Sequence, residues 1–109
     1  HSFTPMMNGF QRPWHVGILW NRDARLPVPL LRRLAAEPDL TVGDNEPYAV
    51  SDETDYTIPV HGEARGLMNT GIEIRQDLIS DHAGEIAWAE RLARIFAEIE
   101  ITLRGQQLI

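Results

Sequence analysis

The sequence predicts an α/β fold, and the order and periodicity of its segments support this prediction. Short apolar or alternating segments, typical of β-strands, occur in turn with longer segments whose apolar residues recur at helical spacing. The order along the chain is strand, helix, strand, helix, strand, helix, which favours a sheet flanked by helices. With 109 residues, 43% of them hydrophobic, the chain is predicted to form one small domain with a single core.

The first half of the chain contains two predicted strands joined by a predicted helix. His15–Trp20 is an apolar run with β-branched residues, typical of a buried strand. A helix is predicted over Pro29–Ala36, because proline is tolerated in a first helical turn and three leucines then share one face. Leu40–Val42 is the next predicted strand, and Gly43–Pro47 after it has the composition of a polar turn.

The second half contains two predicted helices. A short helix is predicted over Tyr56–Arg65, which Gly66 can end. A long final helix is predicted over about His82–Leu103, with Ser80 or Asp81 as its N-cap. Its apolar residues recur at helical spacing and are predicted to pack in the core: Trp88, Leu92, Ile95, Phe96, Ile99 and Leu103.

Between these helices, the segment GIEIRQDLI has the alternation of a β-strand. Ile72 and Ile74 alternate with Glu73 and Arg75, so one face is apolar and the other carries a carboxylate beside a guanidinium. Alternation by itself is typical of an ordinary strand with one wet face. Whether Glu73 faces solvent or a reactive site therefore depends on the rest of the chain.

Composition excludes several functional classes. A net charge of −6 and a pI of about 5.1 argue against a nonspecific nucleic-acid surface, and all ten basic residues are arginine. The absence of cysteine excludes disulfides, thiolate zinc sites and a cysteine nucleophile. No apolar run approaches the roughly 20 residues of a membrane span, and no signal peptide opens the chain. We therefore predict a cytoplasmic protein with no nucleic-acid or membrane partner.

Few motifs carry recognisable chemistry. The four histidines form no HExxH motif, and neither a nucleophile elbow nor a glycine-rich phosphate loop is present. His82 and Glu85 form an HxxE pair, but we interpret it as a helix start, since two ligands are too few for zinc. The candidates that remain are His1, the Asn45–Glu46 loop, Tyr56–Gly66, and Glu73 with Arg75.

Several separated segments together resemble a known family. HSFTPMMNGFQRPWHVGILWNRD, GDNEPY, DYTIPVHGEARGL and IEIRQDLI, in this order, resemble the C-terminal half of the N-formylglutamate amidohydrolases, over roughly residues 1–100. That family is similar to the zinc carboxypeptidases and aspartoacylases. The resemblance implies part of a three-layer zinc-exopeptidase-like fold, with a mixed sheet flanked by helices. Residues 1–109 would then be a C-terminal fragment of the catalytic domain, lacking the upstream half.

The resemblance also implies a mechanism. His1 matches the histidine of an HS pair that is the third zinc ligand, the other two lying upstream, and Glu73 matches the general base of a Glu-x-Arg strand. Zinc would be the cofactor, and this chain alone is expected to be inactive. The implied reaction is hydrolysis of a small-molecule N-acyl amino acid, N-formyl-L-glutamate, to formate and glutamate.

Substrate contacts are implied less directly. Arg65 is the first choice for a substrate carboxylate, because guanidinium groups bind carboxylates through two hydrogen bonds, with Arg12 and Arg75 next. Asn45, His61 and Tyr56 are further candidates for the pocket. Two alternatives remain open: a zinc deacylase for another N-acyl amino acid, and a non-catalytic carboxylate-binding or structural domain of the same fold.

Overall fold

The sheet at the centre of the molecule is mixed. A computed structural model describes residues 1–109 and contains four paired strands in the order β1 (Ser2–Phe3), β6 (Gly71–Arg75), β4 (Val16–Leu19) and β5 (Val42–Asp44). β1 runs parallel to β6, β6 antiparallel to β4, and β4 parallel to β5. The predicted mixed α/β architecture is thus confirmed for this chain.

Two α-helices cover one face of this sheet. α1 (Pro27–Ala35) and α2 (His82–Gly105) share a single buried cluster with β4. The cluster consists of Val16, Ile18, Leu30, Leu34, Trp88, Ile95, Ile99 and Leu103, with Ile72 and Ile74 packed against it. Because side chains alternate along a strand, Gly17 and Glu73 lie on the opposite face. Irregular segments cover that face. The helical layer that a three-layer fold would have on this side therefore stays a prediction.

Helix and strand bounds differ slightly from the sequence prediction. α1 begins at Pro27, two residues before the predicted start, because Pro27 itself occupies the first turn. β5 is Val42–Asp44 and not Leu40–Val42. Gly43 is predicted as a turn residue, but it lies in the strand and pairs with Gly17. Glycine is required there because a Cβ would lie 2.7 Å from the Glu46 carbonyl oxygen.

The remaining elements are short. Thr57–Gly62 is a π-helical turn and Glu63–Arg65 a 3₁₀ turn, which confirms the predicted helical segment, and Gly66 ends it in the left-handed conformation (φ 67°). Another 3₁₀ turn, Gln76–Ile79, leads to α2. A hairpin of β2 (Met6–Met7) and β3 (Phe10–Gln11) was not predicted. Its Asn8-Gly9 dipeptide, with both φ angles positive, is typical of such turns. No helix combines the length and apolarity needed to cross a bilayer.

Candidate active site

Strand pairing places His1 directly beside Glu73. Ser2 pairs with Ile74 in the parallel ladder between β1 and β6. One residue earlier, the His1 nitrogen donates to the Ile72 carbonyl (3.0 Å) and the Ile74 nitrogen donates to the His1 carbonyl (3.0 Å). These two hydrogen bonds bracket Glu73, so His1 is its neighbour on the adjacent strand. Paired residues project to the same face of a sheet, and both side chains line one cavity of about 300 Å³.

The Glu73 side chain is buried but not satisfied. The residue is 7% exposed, and its Oε2 atom has no hydrogen-bond partner. Burial raises the pKa of Glu73, while the positive charges of the amino-terminal group and of Arg12 oppose that shift. A buried carboxylate with a free oxygen and a raised pKa is suited to accept a proton from a bound molecule.

Glycine at position 17 of β4 allows the loop after β5 to approach the sheet beside Glu73. Gly17 pairs with Glu73, and a Cβ at Gly17 would lie 1.9 Å from the Glu46 carbonyl oxygen. The close approach of Glu46 starts the segment that carries Tyr48 and Asp55 to the cleft. Both residues line a second cavity beside Glu73, of about 510 Å³.

Arg12 is a buried arginine whose positive charge acts on Glu73. It is 8% exposed and forms no ion pair, whereas Arg22, Arg25, Arg33, Arg75, Arg91, Arg94 and Arg104 all do. Its guanidinium lies 5.8 Å from the ring centres of both Phe3 and Tyr48 and donates to Thr4 and to the Met7 sulfur. Tyr48 thus contacts Arg12 and also lines a cavity with Glu73.

Arg75 and Asn45 line neither cavity beside Glu73, and both are engaged in other hydrogen bonds. Arg75 is bound to the Asp77 carboxylate (2.7 Å) and to the Trp14 carbonyl (3.3 Å), which occupies most of its donors. The Asn45 side-chain oxygen accepts from the Trp20 nitrogen (2.8 Å), so it joins β4 to the loop after β5.

The helical segment 57–65 contributes less to this cavity than predicted. Tyr56 and His61 stack edge to face on the surface, with ring centres 5.5 Å apart. His61 lines an adjoining cavity that shares Thr57 and Thr70 with the one beside Glu73. Arg65 is exposed and forms no ion pair.

Tyr48 and Asp55 line the cleft but were not predicted from the sequence, whereas His82 and Glu85 were interpreted as a helix start. Tyr48 and Asp55 stand at the edges of segments quoted for the resemblance, but nothing in their spacing indicates that they line a cleft with Glu73. His82 and Glu85 stay at the surface, 85% and 63% exposed, as expected for a helix start. His15 accepts a hydrogen bond from the Thr41 nitrogen (2.9 Å), which is a structural role.

An α/β chain with a buried carboxylate beside a histidine has the kind of site that hydrolases use for proton transfer. The family model for N-formylglutamate amidohydrolase matches residues 1–80 of the chain. The chain therefore belongs to the N-formylglutamate amidohydrolase family.

A solved structure is similar to most of the chain. The crystal structure of gene product Atu2144 from Agrobacterium tumefaciens has 36% sequence identity to it and a TM-score of 0.81. The similarity covers 92% of this chain and 41% of that chain, so the chain spans less than half the length of this relative. No significant match was found among curated proteins.

Proposed function

We propose that the chain forms part of the active site of a zinc-dependent amidohydrolase that converts N-formyl-L-glutamate to formate and glutamate. The observation that carries this proposal is the pairing of His1 with the buried Glu73 on adjacent strands, where both residues line one cavity. Membership of the N-formylglutamate amidohydrolase family supports the substrate.

The donor set of this chain fits one zinc ligand, not a whole zinc site. Catalytic zinc is usually held by three protein ligands, and no cluster of three or more histidines or carboxylates occurs in the structure. We therefore assign His1 as one ligand and place the other two outside these residues. Zinc bound there would supply a Lewis acid that polarises a carbonyl oxygen and makes water more acidic.

Glu73 has the role of general base in this proposal. Its carboxylate takes a proton from the water that attacks the formyl carbon, and the raised pKa lets the acid form return that proton to the leaving nitrogen. Burial keeps bulk water from competing for the carboxylate, because Glu73 is only 7% exposed. Proton transfer by a positioned group contributes about 10² to 10⁴-fold to a rate.

Arg12 is the arginine best supported as a partner for a substrate carboxylate. It is buried and forms no direct ion pair, since its charge acts on Glu73 only at longer range, and a substrate carboxylate would supply a direct partner. Arg75 is already neutralised by Asp77, and Arg65 is exposed. We therefore propose Arg12 first and Arg65 second, with Asn45, His61, Tyr56 and Arg75 as pocket residues of lesser support.

The test uses the complete gene product that contains this chain, with formate release and bound zinc measured in parallel. Glu73→Gln is expected to lower turnover by at least about 10²-fold while zinc stays bound, since only the proton acceptor is removed. His1→Ala is expected to lower zinc content. Glu90→Gln and His82→Ala alter exposed residues of α2 and serve as matched controls.

Three results would contradict parts of the proposal. Full turnover in Glu73→Gln would exclude Glu73 as the base, and unchanged zinc content in His1→Ala would exclude His1 as a ligand. Zinc bound without any formate release would discard the substrate, and a panel of other N-acyl amino acids would then follow.

A further inference from the structure

Two segments of the chain form the walls around Glu73. One is the cleft loop, residues 46–55, whose Tyr48, Ser51, Thr54 and Asp55 line a cavity with Glu73. The other is the helical segment 57–65, whose first two residues line the cavity shared by His1 and Glu73. The position of any molecule bound there depends on where these two walls are held.

The cleft loop is held by few hydrogen bonds. Its backbone forms one internal bond, from the Asp55 nitrogen to the Ser51 carbonyl (3.0 Å), and no ladder bond to the sheet. Ser51, Thr54 and Asp55 bond only to one another. The only hydrogen bonds between residues 46–55 and the rest of the protein are made by the Asp52 carboxylate, which accepts from the side chains of Asn21 (3.2 Å) and Arg22 (2.9 Å).

The same two residues hold the second wall. Glu63, whose side chain is 8% exposed, accepts from the Arg22 nitrogen (2.8 Å) through Oε2. Its Oε1 accepts from the Asn21 amide (3.0 Å) and from the Arg22 guanidinium (3.3 Å). Asn21 and Arg22 lie two and three residues after the end of β4, the strand that pairs with β6 beside Glu73.

We propose that Asn21 and Arg22 are positioning residues, which fix both walls of the Glu73 cleft by binding one carboxylate from each. This inference rests on the proposed function, because it assigns the cleft to the substrate. One guanidinium lies between the two carboxylates, so its removal would both free the loop and leave Asp52 and Glu63 to repel each other. The substrate would then meet a cleft whose loop, including Asp55, is held less firmly.

Hydrogen exchange of the complete gene product tests the attachment without using activity. Asp52→Ala is expected to raise exchange of residues 46–55 by about fivefold, the scale of an exposed bidentate ion pair. Glu53→Ala, which alters an adjacent exposed acid without a hydrogen-bond partner, is expected to leave exchange unchanged. Arg22→Ala should loosen residues 57–65 as well, and Arg22→Lys should restore part of the protection. Arg32→Ala, at an exposed unpaired arginine of α1, is the second control.

Kinetics of the same variants test the link to the cleft. Asp52→Ala and Arg22→Ala are expected to raise KM for N-formyl-L-glutamate by about fivefold with a smaller change in kcat, since Glu73 itself is untouched. Unchanged exchange in Asp52→Ala would overturn the inference whatever the activity. Raised exchange with unchanged KM would also overturn it, because the walls would then be free without consequence. If the complete protein releases no formate at all, the proposed function fails, and exchange still decides the attachment.

Discussion

At the scale of single residues, Glu73 combines a cost to folding with a clear chemical use. An unpartnered carboxylate oxygen inside a protein is unfavourable, since a lost hydrogen bond to water is not replaced. The alternation of GIEIR predicts which face Glu73 occupies. It does not predict burial, which depends on Gly17 and on the loop that approaches it. The alternation therefore raises the question of a wet or a reactive face without answering it, and only the resemblance implies that Glu73 is a general base.

The raised pKa of Glu73 predicts a pH-dependent stability. A carboxyl whose pKa is higher in the folded state binds more protons there, so the free energy of unfolding falls as pH rises above about 4.5. Glu73→Gln removes this penalty, and in metal-free protein we expect it to raise the free energy of unfolding at pH 7 by on the order of 1 kcal/mol. Urea unfolding at pH 7 and pH 4 measures this difference, which should shrink at pH 4. A gain that is equal at both pH values would mean that Glu73 ionises normally.

At the scale of elements, the long helix was the most predictable part of the chain. A capping residue and a regular apolar stripe define α2 locally, and the structure confirms Asp81 as the N-cap and four of the stripe residues as buried. The hairpin and β5 were less predictable, because their strands are two or three residues long and contain glycine or exposed methionine. Strands this short are stabilised by the strands with which they pair, and a local sequence pattern does not reveal those partners.

The cap of α2 gives a prediction at this scale. The Asp81 carboxylate accepts from the Gly84 nitrogen (2.8 Å), which satisfies one free donor of the first turn. Asp81→Ala is expected to lower the free energy of unfolding by about 1 kcal/mol, whereas Asp81→Asn or Asp81→Ser should retain most of it. Chemical denaturation of the three variants tests this. Equal losses in all three would show that the side-chain hydrogen bond does not matter.

At the scale of the whole molecule, the two faces of the sheet differ in composition. Both long helices and the core lie on one face of the sheet, while His1, Gly17 and Glu73 lie on the other. The resemblance could predict that His1 and Glu73 lie together, because both residues belong to the motifs that carry it. Pocket residues such as Tyr48 and Asp55 could not be predicted, since loop geometry brings them to the cleft.

One histidine is too few to bind zinc firmly. This expectation can be tested on the 109-residue chain. The 109-residue chain is expected to show no rise in Tm with equimolar zinc, because a ligand stabilises a protein appreciably only when its concentration exceeds the dissociation constant. The complete gene product should be stabilised by zinc under the same conditions. Thermal unfolding with and without a chelator makes the comparison. A clear zinc-dependent rise for the short chain would show that it holds a metal site of its own.

The ladder between β1 and β6 has an evolutionary consequence. The spacing of His1 and Glu73 is fixed by main-chain hydrogen bonds between adjacent strands, about 4.8 Å apart, and not by the side chains packed around them. Insertions or deletions in the segments that connect the two strands leave that spacing unchanged, whereas a shift of one residue in pairing would turn one side chain to the other face. Descendants of this chain can therefore exchange their loops while the juxtaposition of His1 and Glu73 is inherited intact.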